Sequence, residues 1–180
     1  MEQALRQAGV TQDIAWTTGP GDGARIAAAA WQQGRARFLV AGGDGSVHDV
    51  VNGLMTARRA HGDLASPDPP RIPTLVPLPL GTGNDWSRSL ALPGDPAALA
   101  AIIRRDHAVS HDVGRIEFPA SGTTPARTCW FINVAGAGFD AHVIERMPAR
   151  TPAGFAYLGA ALRELGRIER TLFALDWLEQ

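Results

Sequence analysis

The sequence predicts an α/β protein: a domain on a parallel sheet over residues 1–111, then the start of a β-rich second domain over residues 112–180. Three observations carry this. Phe38-Leu39-Val40-Ala41, then Gly42-Gly43-Asp44-Gly45, then Val47, Val50, Val51 and Leu54 at helical spacing read as a buried strand, a glycine turn and a helix. The same order recurs from Ile72 to Leu90 around the turn Gly81-Thr82-Gly83. After Asp112, alternation replaces helical spacing, as in a hairpin.

Composition sets the bounds. At 180 residues the chain is long enough for one domain with a sizeable core and part of a second. Its 17 basic and 18 acidic residues nearly balance, which argues against a broad nucleic-acid surface. Cys129 is the single cysteine, so no disulfide framework or thiolate metal cluster is expected, in keeping with a reducing cytoplasm. No apolar run reaches the roughly 18 residues of a membrane span, and Glu2 and Gln3 do not suit a signal peptide.

In order, Glu2 to Ala8 reads as a helix ended by Gly9, and Asp13 to Trp16 as a short strand. The loop Thr17-Thr18-Gly19-Pro20-Gly21-Asp22-Gly23 precedes a helix from Ala24 to Gln33. Thr17 thus stands at a strand end, where ligands gather in parallel sheets, though a plain turn hydroxyl fits equally. The helix after Gly45 runs to about Arg59, with Ser46 as its cap and Asp49 as a short capping-box partner. His61 to Arg71 is a polar, proline-rich loop. Ile72 to Leu78 is a strand despite Pro73 and Pro77, and Asp85 is expected to cap the helix after the second turn. Ala97 to Arg105 is helical; His107 and His111 have no further metal ligands nearby in sequence. Val113 to Phe118 and Thr128 to Val134 are strands, Ala135 to Asp140 a further glycine turn. Phe155, Leu158, Leu162 and Leu165 form a helical stripe, and Thr171 to Leu178 reads as a strand. Asp140 suits a substrate hydroxyl or a helix cap.

The chemistry centres on Asp44. Glycines at a helix start favour phosphate, whereas a carboxylate repels it. A bound Mg²⁺, or a role accepting a proton from an attacking hydroxyl, would offset that repulsion and points to phosphoryl transfer. A glycine connection with a solvated Asp44 is the plainer alternative. The stretch lacks P-loop spacing, the chain has no lysine, and the third glycine of the dinucleotide fingerprint is missing. Thr82 could donate a hydroxyl to phosphate, and Asn84 could contact ligand or turn.

Gly42-Gly43-Asp44-Gly45-Ser46, the helix through Val50-Val51-Asn52-Gly53-Leu54, and Pro79-Leu80-Gly81-Thr82-Gly83-Asn84-Asp85 resemble the diacylglycerol kinase catalytic-domain family. Asp112-Val113-Gly114 and Phe131 to Ala141 are similar to the start of its second domain. The resemblance implies an NAD kinase/diacylglycerol kinase-like nucleotide domain followed by a β-rich domain, and ATP- and Mg²⁺-dependent phosphorylation of a lipid hydroxyl such as that of diacylglycerol. By position, Gly42, Gly43, Asp44, Gly45, Ser46, Val47 and His48 would bind ATP phosphates. Gly81, Thr82, Asn84 and Thr17 would bind nucleotide, and Asp44 would act at the reacting phosphate or the lipid hydroxyl. Ser46 replaces the usual Thr; His48 and Asp49 replace the commoner Asn and Glu.

Family members begin with a strand bearing an Asn-Pro…Gly loop and continue through a β-sandwich with an Asp-Gly-Glu type segment. The resemblance therefore implies a chain truncated at both ends, with unpaired strand edges that admit a homo-oligomer or aggregation. The expected partner is a lipid at a membrane surface, met peripherally from the cytoplasm. A nucleotide-binding remnant without catalysis is one alternative. NAD kinase, which shares the glycine-aspartate turn, is another, and Gly81-Thr82-Gly83-Asn84-Asp85 argues against it.

Overall fold

A computed structural model of the chain describes residues 2–7, 9–62 and 71–136. The chain divides into two compact units, Met1–Asn133 and Val134–Gln180, and every element described here lies in the first. In order these are α1 Glu2–Gln7, α2 Asp22–Gln32, β1 Arg37–Gly42, α3 Asp44–Ala60, β2 Thr74–Pro79, α4 Asp85–Ser89, α5 Pro96–Arg105, β3 Gly114–Phe118 and β4 Arg127–Phe131.

β1 and β2 pair in parallel, from Arg37 opposite Thr74 to Gly42 opposite Pro79. Their side chains alternate between two packed faces. Phe38, Val40 and Leu75 face Trp31 of α2 and Val47, Val51 and Leu54 of α3. Leu39, Val76 and Leu78 face Leu5 of α1 and Leu99, Ala100 and Ile103 of α5. The result is the α/β layering that the buried apolar runs predict, with each fully buried Val, Leu or Ile contributing about 1.5–3 kcal/mol. α2 and α3 cross so closely that a Cβ on Gly53 would stand 2.7 Å from the Ala24 Cα. β3 and β4 form the expected antiparallel hairpin, Gly114 opposite Phe131 and Phe118 opposite Arg127. Trp130 of β4 is buried beside Val51, Met55 and Trp86.

The prolines of β2 fit for a reason of parity. The amides of Thr74 and Leu80 donate to the Ala36 and Gly42 carbonyls, at 2.8 and 3.0 Å. Alternate residues of a strand point their N–H groups the same way, so Pro73, Pro77 and Pro79 fall on the side away from β1, where no described strand pairs with β2.

Three local expectations are corrected. Asp13–Trp16 is not a strand: no described strand pairs with it, Asp13 forms an ion pair with Arg35 at 2.7 Å, and Trp16 is 80% exposed. An extended segment becomes a strand only where a partner takes up its N–H and C=O groups. Ser46 does not cap α3, because the helix already starts at Asp44 with Gly43 at the cap position. Asp85 is the first residue of α4 rather than its cap; that position belongs to Asn84. Asp95, by contrast, caps α5 through its carboxylate, which accepts from the Ala98 amide at 2.7 Å, with Pro96 opening the helix. The expectations for Asp140, for the stripe Phe155 to Leu165, for a strand over 171–178 and for most of the loop between His61 and Arg71 lie outside the described residues.

Candidate functional site

The parallel register brings the carboxyl ends of β1 and β2 level, so their two glycine turns leave the sheet side by side. The turns touch through backbone. A Cβ on Gly43 would stand 3.1 Å from the Gly81 Cα, and one on Gly81 would overlap the Gly43 Cα. Gly42 is equally confined, because a Cβ there would overlap the Ser46 hydroxyl. Gly45 is the exception: a Cβ there would meet none of the described residues within 4 Å. The start of α3 is therefore open on the Gly45 side and closed on the Gly43 side.

Asn84 shapes the second turn. Its side chain accepts from the Gly81 amide at 3.0 Å and donates to the Gly81 carbonyl at 2.6 Å. Its backbone is left-handed, at φ 55, a conformation that Asn tolerates better than most residues. Of the two contacts open to Asn84, the structure displays the one to the turn.

With Asn84 folded back, the first amides of α4 look elsewhere, and Asp44 meets them. Its Oδ2 accepts from the Asp85 amide at 3.2 Å and its Oδ1 from the Trp86 amide at 3.3 Å. The carboxylate of the first turn thus caps the helix of the second. Gly83 belongs to the same joint, since a Cβ there would stand 2.8 Å from Asp44 Oδ2. The charge of Asp44 is met by amide dipoles at a helix start, a third answer beside a metal or a proton-transfer role.

The remaining sequence candidates spread around this joint. Ser46, His48, Thr82 and Thr17 are exposed. Val47 is buried at 4% exposure beside Val40 and Val51, so its side chain serves the core and its amide donates to the Gly43 carbonyl. The His48 ring lies 3.3 Å from the Asn52 amide nitrogen and 4.0 Å from the Cys129 sulfur, on the side of β4. The Thr17 loop is closed by Asp22, whose Oδ2 accepts from the Thr18 amide at 2.9 Å and the Thr18 hydroxyl at 2.6 Å. These two bonds, with Arg25 beside them, hold the Asp22 carboxyl well below the usual carboxylate range. His111 is exposed, its Nε2 2.8 Å from the Ile132 carbonyl and its ring edge-on to Trp86. Among the described residues no group of three or more His, Cys, Asp or Glu is placed to hold a metal.

Two side chains of α3 take structural roles other than those read from the sequence: Asn52, for which the sequence predicts none, and Asp49, expected as a capping-box partner of Ser46. Asn52 treats the Trp130 backbone as a strand would: its Oδ1 accepts from the Trp130 amide and its Nδ2 donates to the Trp130 carbonyl, both at 2.8 Å. Asp49 Oδ2 accepts from the Gly21 amide at 3.1 Å. The sequence signal for Asn52 is a polar residue set between the buried positions Val51 and Leu54.

An α/β sheet with paired glycine turns at its strand ends and an acid between them defines the class. The model of the diacylglycerol kinase catalytic domain matches residues 1–116, and the chain belongs to that family. It is 34% identical over 156 residues to a protein of Chromohalobacter salexigens named "Probable lipid kinase YegS-like", covering 85% of this chain and 44% of that one. A protein of the same name from Xanthomonas campestris pv. campestris is 31% identical over 168 residues, covering 92% and 50%. The chain therefore spans about half the length of the curated relatives it matches. Among solved structures, "A putative diacylglycerol kinase from Bacillus anthracis str. Sterne" superposes with a TM-score of 0.54 at 23% identity, covering 96% of this chain and 51% of that one. That likeness concerns the fold, which is diacylglycerol kinase-like with a parallel sheet.

Proposed function

We propose that this chain is the nucleotide-binding part of a lipid kinase that transfers the γ-phosphoryl group of ATP, with Mg²⁺, to a lipid hydroxyl such as that of diacylglycerol. The observation that carries the reading is the joint of the two glycine turns, with Asp44 held between them and the Gly45 side left open. Phosphate would lie against that open side, where amides at the start of α3 and the helix dipole favour an anion. The Ser46 and Thr82 hydroxyls are exposed nearby in sequence and would add donors, while Thr17 would reach nucleotide from its own loop. Val47 would contribute backbone alone, and His48 would meet the nucleotide from the β4 side of α3.

ATP supplies the transferred group, and Mg²⁺ spreads its charge, commonly through one or two protein carboxylates beside phosphate oxygens. Asp44 is the carboxylate between the turns and fits that need. At the reacting group Asp44 would accept the lipid hydroxyl proton as the new O–P bond forms and the bond to ADP breaks. In this reading residues 1–111 form the nucleotide domain, residues 112–180 begin the second domain, and Asp140 is the candidate there for recognising a substrate hydroxyl. The lipid would be met at a membrane surface; among the described residues no helix is long and apolar enough to cross a membrane.

The test is incubation with labelled ATP, Mg²⁺ and a mixed lipid extract, beside Asp44→Asn. Asn keeps an acceptor for α4 while removing the charge, so label in lipid that the variant loses with α4 intact is the expected result. ATP uptake without label in lipid would make the chain a nucleotide-binding module. Label on added NAD instead of lipid would overturn the substrate class.

A further inference from the structure

Three carboxylates around the glycine turns accept hydrogen bonds from backbone amides. Asp44 takes up α4, and Asp22 closes its own loop on Thr18. Asp49 joins α3 to the Thr17–Gly21 loop 28 residues earlier, through the Gly21 amide. The helix that the loop leads into packs against α3 at the same place: a Cβ on Gly23, in the first turn of α2, would stand 3.0 Å from the Asp49 Cβ. Gly21 is left-handed at φ 80, a conformation that glycine adopts without strain. Asp49 lies about 7.5 Å along the α3 axis from Asp44, by the rise of an α-helix, and is half-buried.

We propose that Asp49 is a positioning residue: it fastens the Thr17–Gly21 loop to α3 and thereby sets the affinity for nucleotide without touching it. This rests on the kinase reading above. The residue that follows the glycine turn by one helical turn is thus assigned to the loop, and the loop to the ligand. Charge makes the idea easy to break, because a carboxylate near phosphate repels it. Were Asp49 only a nearby charge, removing it would tighten nucleotide binding; as a fastener, its removal weakens binding.

The experiment titrates Mg-ATP into the wild-type protein, Asp49→Ala and Asp49→Asn, with amide hydrogen exchange on each. Asp49→Ala is expected to weaken Mg-ATP on the order of tenfold, the loss of one hydrogen bond to a charged acceptor. In the lipid assay the same variant raises KM for ATP and leaves kcat unchanged. Asp49→Asn, which retains an acceptor for Gly21, stays within about twofold of wild type. Exchange over residues 18–22 quickens in Asp49→Ala alone, with β1 and α3 unaltered. The proposal is overturned if Asp49→Ala binds Mg-ATP as tightly as wild type or more so, if Asp49→Asn is as weak as Ala, or if Gly21 exchange does not move. Wild-type protein that takes up no Mg-ATP overturns the kinase reading and the affinity role together; Gly21 exchange then still decides whether Asp49 fastens the loop.

Discussion

α3 and α4 each follow a parallel strand and a glycine turn, yet they begin in different ways. α3 is self-sufficient: the Gly43 carbonyl takes the Ser46 and Val47 amides at 3.0 and 3.2 Å, and the helix then runs on to Ala60 over a buried face. α4 ends at Ser89, its cap residue is turned back on Gly81, and its first amides rest on Asp44. Helices this short do not persist alone in water, so the second unit is completed by the first. Two similar sequence patterns therefore hide a one-way dependence, and the acid that looks anomalous in the first turn serves the second.

The harshest way to break that relation is Gly81→Ala. Its Cβ would overlap the Gly43 Cα and stand 2.9 Å from Asn84 Oδ1, so urea unfolding is expected to show a loss of about 3 kcal/mol. Gly45→Ala is the control: with open space around the new methyl it should change stability by no more than about 1 kcal/mol, while weakening Mg-ATP if phosphate lies there. Equal losses in the two variants would show that the turns are not joined as described.

Next in size is Asn52→Ala, which leaves the Trp130 amide and carbonyl without their side-chain partners. About 2 kcal/mol of stability should go with them, and exchange should quicken in β4 before β1. Asp44→Ala sharpens the comparison directly. Removing a helix cap costs about 1 kcal/mol, and the Asp85 and Trp86 amides should exchange faster while α3 stays as protected as before. Faster exchange in α3 as well would contradict its self-sufficiency.

The smallest effect concerns Asp22. Its carboxyl is depressed in the folded protein by the Thr18 hydroxyl and amide, then by Arg25. Its stabilising contact is therefore fully present above the unfolded value, about 4, and is lost as pH falls through the lower folded value. Thr18→Val removes the hydroxyl bond, so an NMR titration should find the Asp22 midpoint moved up toward the ordinary range. An unmoved midpoint would mean that Thr18 does not hold it.

Most of the elements were legible because their signals are local. The apolar run Phe38 to Ala41 marks a strand covered on both faces, and Val47, Val51 and Leu54 mark the buried stripe of α3. The helix read from Ala97 to Arg105 forms, one residue longer at its start, over Pro96–Arg105. The misreadings are also informative. Ser46 was a fair cap by residue type, but Gly43 already ends the turn, so the helix begins earlier. Asp13 to Trp16 has strand-forming residues and no described neighbour to pair with.

By itself, the sequence determined the α/β class, the two glycine turns, the hairpin and the family to which the chain belongs. Hydrophobic period and turn chemistry depend on neighbours a few residues away. Tertiary structure alone decided that Asp44 caps a helix 41 residues on, that Asp49 holds a loop 28 residues back, and that Asn52 pairs with a strand 78 residues away. Those partners meet because strand register and helix crossing bring distant backbone amides within reach of a short side chain, and no local pattern encodes that distance.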